Sequence, residues 1–261
     1  MKKMISKILI IATVTMGLAG CGNSSTSQNK DSSKKFSKTY VVSTDATYAP
    51  FEYEKDGKYV GIDIDLLAAI AKLEGFKYEL KPMDFKGIIP ALQANQIDGA
   101  IAGMGITDER KKVLDMSEGY FESGLSAVGK KGNDKINSEA DFKGKIFAVK
   151  KGTLGAKYAE ENKAKLGATI KYFNDTASMM QEVKNGNADV TFEDYPVIAY
   201  MISVDPNSNL KIIGNKISTQ NYGFAVKKGS NTELVNAFND GLKKLKANGE
   251  YDKIVQKYIK K

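Results

Sequence analysis

Residues Gly99–Lys111, "GAIAGMGITDERK", carry the arrangement that decides how the chain is read. A run of small residues over 98–103 reads as a strand, and it opens onto a helix start. Thr107 is a good N-cap, and Asp108 and Glu109 place negative charge in the first turn, where the helix dipole favours it. Arg110 is on the wrong side of that dipole. Local sequence leaves two readings open. Arg110 pairs with Asp108, Glu109 or Asp115 on the surface, or it points into a cleft at the carboxyl ends of the strands, where open α/β sheets bind ligands. In the second reading, bare glycines at 103 and 105 let backbone N–H groups approach the same anion. A planar carboxylate suits a guanidinium best.

Outward from this stretch, strand and helix patterns alternate. "TYVVST" (39–44) is a strand, and 51–61 reads as two short strands about an Asp56-Gly57 turn. A helix over 65–75 has Asp65 as N-cap and Gly75 as its stop, followed by a strand at 76–80 and a helix at 87–96. The grammar restarts with strands at 145–152, 169–173 and 188–192 around helices at 154–165 and 177–186, with a further helix at 195–203. Such alternation predicts α/β layers on largely parallel sheets, in two modules. Two extended, glycine-dotted pieces, 119–132 and 217–229, read as crossovers between them. Helices over 232–249 and 251–261 close the chain, with Leu234, Phe238, Leu242 and Leu245 as a core-facing stripe.

Composition narrows the function. The 261 residues are 42% apolar and contain no histidine and one cysteine. Ser-His-Asp and Cys-His catalysis and the usual zinc ligand sets are therefore not available. No metal site or cofactor is expected: "DID" (63–65) lacks the further ligands of a calcium loop and reads as a strand end and helix cap, and no phosphate-binding glycine motif is complete. Residues 1–20 place three lysines ahead of an apolar run and read as a secretory signal. Cys21, directly after "LAG", reads as the lipid-modified (palmitate-bearing) mature N-terminus. The polar, serine-rich segment up to Lys38 reads as a flexible tether. Loss of the signal lowers the net charge from +8 to +5, with 36 basic and 31 acidic residues remaining. These are scattered, and no basic stripe points to nucleic acid.

Five strand ends converge on one edge. "TDATYAPFEY" offers Asp45 and Tyr48, "MDFKG" offers Phe85, "VKKGT" offers Lys150 and Thr153, and "FEDYP" offers Asp194. Together with Arg110 they would complement a zwitterion with a polar side chain. Taken singly, Asp194 also fits as a cap of the helix that follows it, and Tyr48 and Phe85 as core residues.

From "VVSTDATYAPFEY" through "YVGIDIDLLAAIAK", "KPMDFKGIIPALQ", "GITDERK", "FAVKKGT", "ADVTFEDYP" and "NYGFAVKKGS", the chain from about Tyr40 onward resembles the polar amino-acid-binding proteins of ABC importers. The resemblance implies a two-lobed, periplasmic-binding-protein-like α/β fold of type II with two crossover hinge strands. Lobe 1 would be 39–121 and 222–261, and lobe 2 would be 122–221. It implies that Arg110, with Gly103, Gly105 and Thr153, binds the ligand α-carboxylate, Asp194 the α-ammonium, and Tyr48 and Phe85 the faces of the side chain.

Within that family the glutamine binders look closest, sharing "KPMDF", Asp45 and Lys150. A lysine beside the side-chain pocket would also repel a cationic ligand. Two positions depart from the pattern: Gly105 replaces a hydroxyl residue, and Leu154 replaces a glycine. Glutamine is the first expectation, with arginine, glutamate or another polar amino acid behind it. The implied protein is a monomer on the outer face of the cytoplasmic membrane, held by Cys21, that hands its ligand to an ABC permease and its ATPase. The alternatives are a ligand sensor and a dehydratase-like enzyme on the same scaffold with Glu193 or Asp45 as general acid.

Overall fold

The computed structural model describes Phe36 and Lys38–Ile259; the signal, Cys21 and nearly all of the tether lie outside the described residues. In chain order the first part runs β1 (Thr39–Thr44), β2 (Thr47–Tyr48), β3 (Glu52–Lys55), β4 (Lys58–Val60), α1 (Ile62–Glu74), β5 (Lys77–Pro82), α2 (Phe85–Gln93), β6 (Gly99–Ala100), α3 (Asp108–Lys111) and β7 (Leu114–Met116). Then follow β8 (Phe121–Ser123), β9 (Leu125–Lys130), β10 (Ile146–Lys150), α4 (Leu154–Leu166), β11 (Thr169–Phe173), α5 (Thr176–Asn185), β12 (Val190–Asp194), α6 (Tyr195–Val204) and β13 (Leu210–Ile213). The chain returns through β14 (Gln220–Tyr222) and β15 (Ala225–Lys227) to α7 (Thr232–Ala247) and α8 (Glu250–Tyr258).

These elements form a mixed α/β structure of two lobes. One five-stranded sheet has the order β5-β1-β6-β15-β7 and the other β11-β10-β12-β9-β13. Both sheets are mixed, a correction to the largely parallel sheets expected from the alternation. β1 pairs in parallel with β5 and β6, and β10 with β11 and β12, as β-helix-β crossovers dictate. The strands fed by the crossovers, β15 and β9, enter from the opposite end and pair antiparallel. Between the lobes, β8 and β14 form an antiparallel ribbon that aligns Phe121 with Tyr222 and Ser123 with Gln220.

Local sequence explains most elements. α4 starts where the Thr153 hydroxyl accepts the Ala156 N–H at 3.2 Å, and α5 where Asp175 accepts the Ser178 N–H. Both end at glycines in the left-handed region. On α7 the stripe Leu234, Phe238, Leu242 and Leu245 is buried, and the Phe238 ring stacks on Phe224 with centroids 4.9 Å apart. Each such side chain contributes about 1.5–3 kcal/mol. Several boundaries move, three of them beside the site. α1 starts at Ile62 rather than Asp65, so Asp63 lies inside the helix and buried, and Asp65 instead accepts from Lys257 and Tyr258. α2 starts two residues before the predicted helix, which puts Phe85 at its first turn. β6 spans only two residues because the backbone turns away at Gly103, whose φ is +52°.

Candidate functional site

The site lies between the two sheets, where the chain leaves β1, β6, β10 and β12. A narrow cavity is lined by Tyr48, Phe85, Gly103, Gly105 and Arg110 from one side and Lys150, Thr153, Leu154, Glu193 and Asp194 from the other. Eight of the nine expected residues thus meet there. Asp45, the ninth, stands behind the wall as the partner of Lys150.

Arg110 takes the second of its two open readings. Thr107 caps α3, accepting the Arg110 N–H at 3.2 Å, and this one-turn helix turns the arginine inward. Its side chain is buried, with the guanidinium 5.4 Å from the centre of the Phe85 ring. Nη1 donates to the Gly105 carbonyl at 2.8 Å and Nη2 to the Gly152 carbonyl, in the other lobe, at 3.2 Å. Two of the three carboxylates suggested as surface partners are otherwise engaged: Glu109 pairs with Lys157 and Asp115 with Lys228. Burial pushes the guanidinium pKa down, an effect opposed by Asp194.

Across the cavity Asp194 ends β12 and stands at the N-cap position of α6, but its side chain makes no capping bond. It accepts instead from the Tyr48 hydroxyl at 3.0 Å, from Gln220 Nε2 at 3.0 Å and from the Tyr222 hydroxyl. Burial raises its pKa, and the bonds from Tyr222 and Tyr48, followed by Arg110, act against that. A buried guanidinium and a buried carboxylate on one cavity make a site for a molecule bearing both charges.

Between the lobes, Lys150 forms a buried ion pair with Asp45; the two side chains are 3% and 5% exposed. Asp45 Oδ1 also accepts from the backbone N–H and the hydroxyl of Thr47. The Lys150 Nζ lies 5.1 Å from the centre of the Tyr48 ring and 5.8 Å from that of Phe85. Tyr48 and Phe85 are therefore both cavity walls and members of the lobe 1 core clusters, so the two readings of these residues coexist.

Two expected contacts are not offered in the expected form. The Gly103 N–H is already taken, donating at 2.8 Å to Asp63 Oδ2, so it does not face an anion. Glycine is still required there, since φ is positive and a Cβ would sit 2.7 Å from the Tyr48 ring. The Thr153 hydroxyl donates to the Lys150 carbonyl at 2.7 Å while capping α4. The two departures from the family pattern meet each other: a Cβ at Gly105 would lie 3.0 Å from Leu154 Cδ1. Leu154 fills, from the opposite lobe, the space a larger residue at 105 would take.

Sequence reasoning gave Glu193 a part only in the alternatives, as a general acid, and did not place Gln220, Tyr222 or the acids beneath the site among the site residues. Glu193 lines the cavity, its Oε1 accepting from Tyr48 Oη and from the Asp194 N–H, each at 2.9 Å. Burial, then the Asp194 charge, raises its pKa to about 7. Strand alternation sends neighbours to opposite faces, which hid it; β12 ends at Asp194 and the alternation ends with it. Beneath Gly103, Asp63 is fully buried, accepts the Tyr120 hydroxyl at 2.7 Å, and has its pKa raised by burial to about 6. Glu52 beside it is pushed well above the carboxylate range, by burial first and then by Asp63. This proximity of β3 to α1 is one that no local pattern reveals.

A cavity between two α/β lobes joined by a two-strand ribbon, with charges for both ends of a zwitterion, defines a two-lobed solute-binding protein. The chain belongs to the bacterial extracellular solute-binding proteins, family 3, which matches residues 40–261. It is a binding protein rather than an enzyme on that scaffold. It is 33% identical to the arginine-binding extracellular protein ArtP of Bacillus subtilis (strain 168), over 97% of this chain and 96% of that one. It is 34% identical to the ABC transporter glutamine-binding protein GlnH of the same organism, over 100% and 98%. An ancestral arginine-binding protein, solved with arginine and with glutamine, is 45% identical over 85% of this chain and 98% of its own, with TM-scores of 0.80 and 0.79. Among the described residues, no helix is long and apolar enough to cross a membrane.

Proposed function

We propose that this protein captures a free polar L-amino acid, arginine or glutamine, outside the cytoplasmic membrane and delivers it to an ABC permease. The observation that carries this reading is the buried Arg110 and the buried Asp194 on one inter-lobe cavity, positioned for an α-carboxylate and an α-ammonium. Tyr48 and Phe85 would flank the side chain. The names of the relatives, which include arginine-binding and glutamine-binding proteins, support the ligand class.

The preference for glutamine over arginine rested on the shared "KPMDF", Asp45 and Lys150, and in addition on a lysine charge beside the side-chain pocket. With Asp45 against Lys150 in a buried pair, that repulsion is largely cancelled, and both ligands fit the charge balance. Ligand held by one lobe would bridge to the other and favour closure about β8 and β14, with lobe boundaries near 121/122 and 221/222. A lipid on Cys21 would keep the protein near its permease and raise its local concentration there.

Isothermal calorimetry of the protein, stripped of carried-over amino acid, tests the reading against the twenty amino acids singly. Tight binding of arginine or glutamine in the native chain is expected, with affinity lowered at least a hundredfold in Arg110→Ala, since charge-assisted bonds are worth about 1.5–3 kcal/mol each. Absence of amino-acid binding, or an unchanged affinity in Arg110→Ala, would refute it.

A further inference from the structure

The oxygens of Glu193 are used unequally. Oε1 takes the Tyr48 hydroxyl and the Asp194 N–H, whereas Oε2 is left without a hydrogen bond on a residue that lines the cavity. Position along the cavity follows from its neighbours. Tyr48 bonds both Glu193 and Asp194, which marks the ammonium end, and the Lys150 Nζ lies over the Tyr48 ring, 5.1 Å from its centre. Glu193 also feels the Lys150 charge. It therefore stands between the ammonium-binding carboxylate and the side-chain end of the pocket.

We propose that Glu193 is the residue that sets side-chain selectivity at this site: its ionised Oε2 pairs with a cationic guanidinium, and its protonated form removes that preference and leaves a neutral amide equally well bound. This rests on the amino-acid reading above and deepens it. Each other charge that faces Glu193 is already answered. Asp194 on the same strand is held by Gln220 and Tyr222 and shares the one Tyr48 hydroxyl proton with Glu193, Lys150 on β10 is paired with Asp45, and Arg110 on α3 is turned to two carbonyls. Tyr222 on β14 reaches Glu193 only through Asp194. A raised carboxyl pKa, about 7, puts the change of charge within the neutral range. The bound guanidinium keeps its own charge throughout.

The test is calorimetry of the full chain and of Glu193→Gln with L-arginine, L-citrulline and L-glutamine from pH 6 to 8. Citrulline matches arginine in shape and lacks its charge. Changes at Asp194 or Asp63 affect all three ligands alike and cancel in the ratio of affinities. In the native chain the preference for arginine over citrulline falls about tenfold from pH 8 to pH 6, as the ionised fraction falls from about 0.9 to about 0.1. Arginine binding near pH 7 releases about half a proton, read from buffers of differing ionisation enthalpy.

In Glu193→Gln, which keeps the acceptor for Tyr48 and Asp194, the preference at pH 8 drops ten- to hundredfold, and both the pH dependence and the proton release vanish. A preference unchanged within threefold in the variant, or flat with pH in the native chain, overturns the proposal. Binding of glutamine without arginine overturns it too while leaving amino-acid capture intact. Binding of none of the three, nor of any other amino acid, refutes the underlying function instead.

Discussion

The Asp45–Lys150 pair joins the lobes across the cleft, so its loss is expected to weaken ligand affinity, through closure, rather than the folding of either lobe. With both side chains almost wholly buried, solvent screens the pair little. Lys150→Met would leave Asp45 holding only its bonds from Thr47, and Asp45→Asn would leave Lys150 with the Thr176 hydroxyl at 3.5 Å and two aromatic faces. Breaking a buried pair by removing one partner costs about 3–5 kcal/mol. Charged to closure, that is roughly a hundredfold to a few thousandfold in affinity. The double variant removes both uncompensated charges and is expected to recover about 2–3 kcal/mol of the sum of the single losses, within the range measured for close charge pairs. Calorimetry on the four proteins with one ligand gives the coupling directly. A coupling below about 0.5 kcal/mol would mean that the two charges do not meet in the ligand-bound form, and the argument about Lys150 and cationic ligands would fall with it.

Two further outcomes can be checked. Gly105→Ser is expected to weaken binding, because its Cβ would press on Leu154 and on Gln220 Cγ at 3.3 Å; Gly105→Ser with Leu154→Gly should bind more tightly than Gly105→Ser alone, and equal affinities would show that the two positions do not share space. Asp63, raised from 3.8 to about 6, contributes stability that is full below pH 4 and is lost as pH rises through 6, on the order of 3 kcal/mol. Asp63→Asn keeps an acceptor for Gly103 and Tyr120 and cannot ionise, so its urea midpoints should fall less steeply than the native chain's between pH 4 and 6. Identical slopes would remove Asp63 from the account.

The fold was legible because its signals are local. The cap at Thr107, the stop at Gly75 and the stripe on α7 each act within a few residues, and the structure keeps all of them. Arg110 was legible as an anomaly, a cation in the first turn of a helix, and burial between two carbonyls resolves it. The sequence could not say which polar groups were already engaged. Lys150 looked like a free charge until Asp45, 105 residues earlier, was found against it, and the Gly103 N–H looked free until α1 began three residues early and brought Asp63 beneath it. Sheet direction was misread for a related reason: β9 and β15 carry the same composition whichever way they run, and only the crossover fixes their sense.

The acids beneath the cavity bear on how closure proceeds. Asp63 Oδ2 holds the Gly103 N–H, on the loop that faces the ligand, and the Tyr120 hydroxyl, one residue before the hinge strand β8. Tyr120 is packed in turn against Phe238 and Tyr222, and its carbonyl accepts from Tyr251 on α8. Ligand loop, hinge entry and the two closing helices of lobe 1 are thus fixed to one buried carboxylate. A polar group so placed is costly to leave unpaired, which makes this part of lobe 1 stiff. The freedom needed for opening then falls to the ribbon itself, whose strands β8 and β14 are three residues long and are tied to lobe 1 beyond their own pairing by the isolated bridge of Tyr222 to Gly105. Among the contacts that cross the cleft and break on opening are Arg110 to Gly152, Tyr48 to Glu193 and Asp194, and Lys150 to Asp45, with Lys157 to Glu109 and Lys86 to Asn174 nearer the rim. Those at the cavity each involve a residue that lines it or stands directly behind it, so binding and closure draw in part on the same side chains.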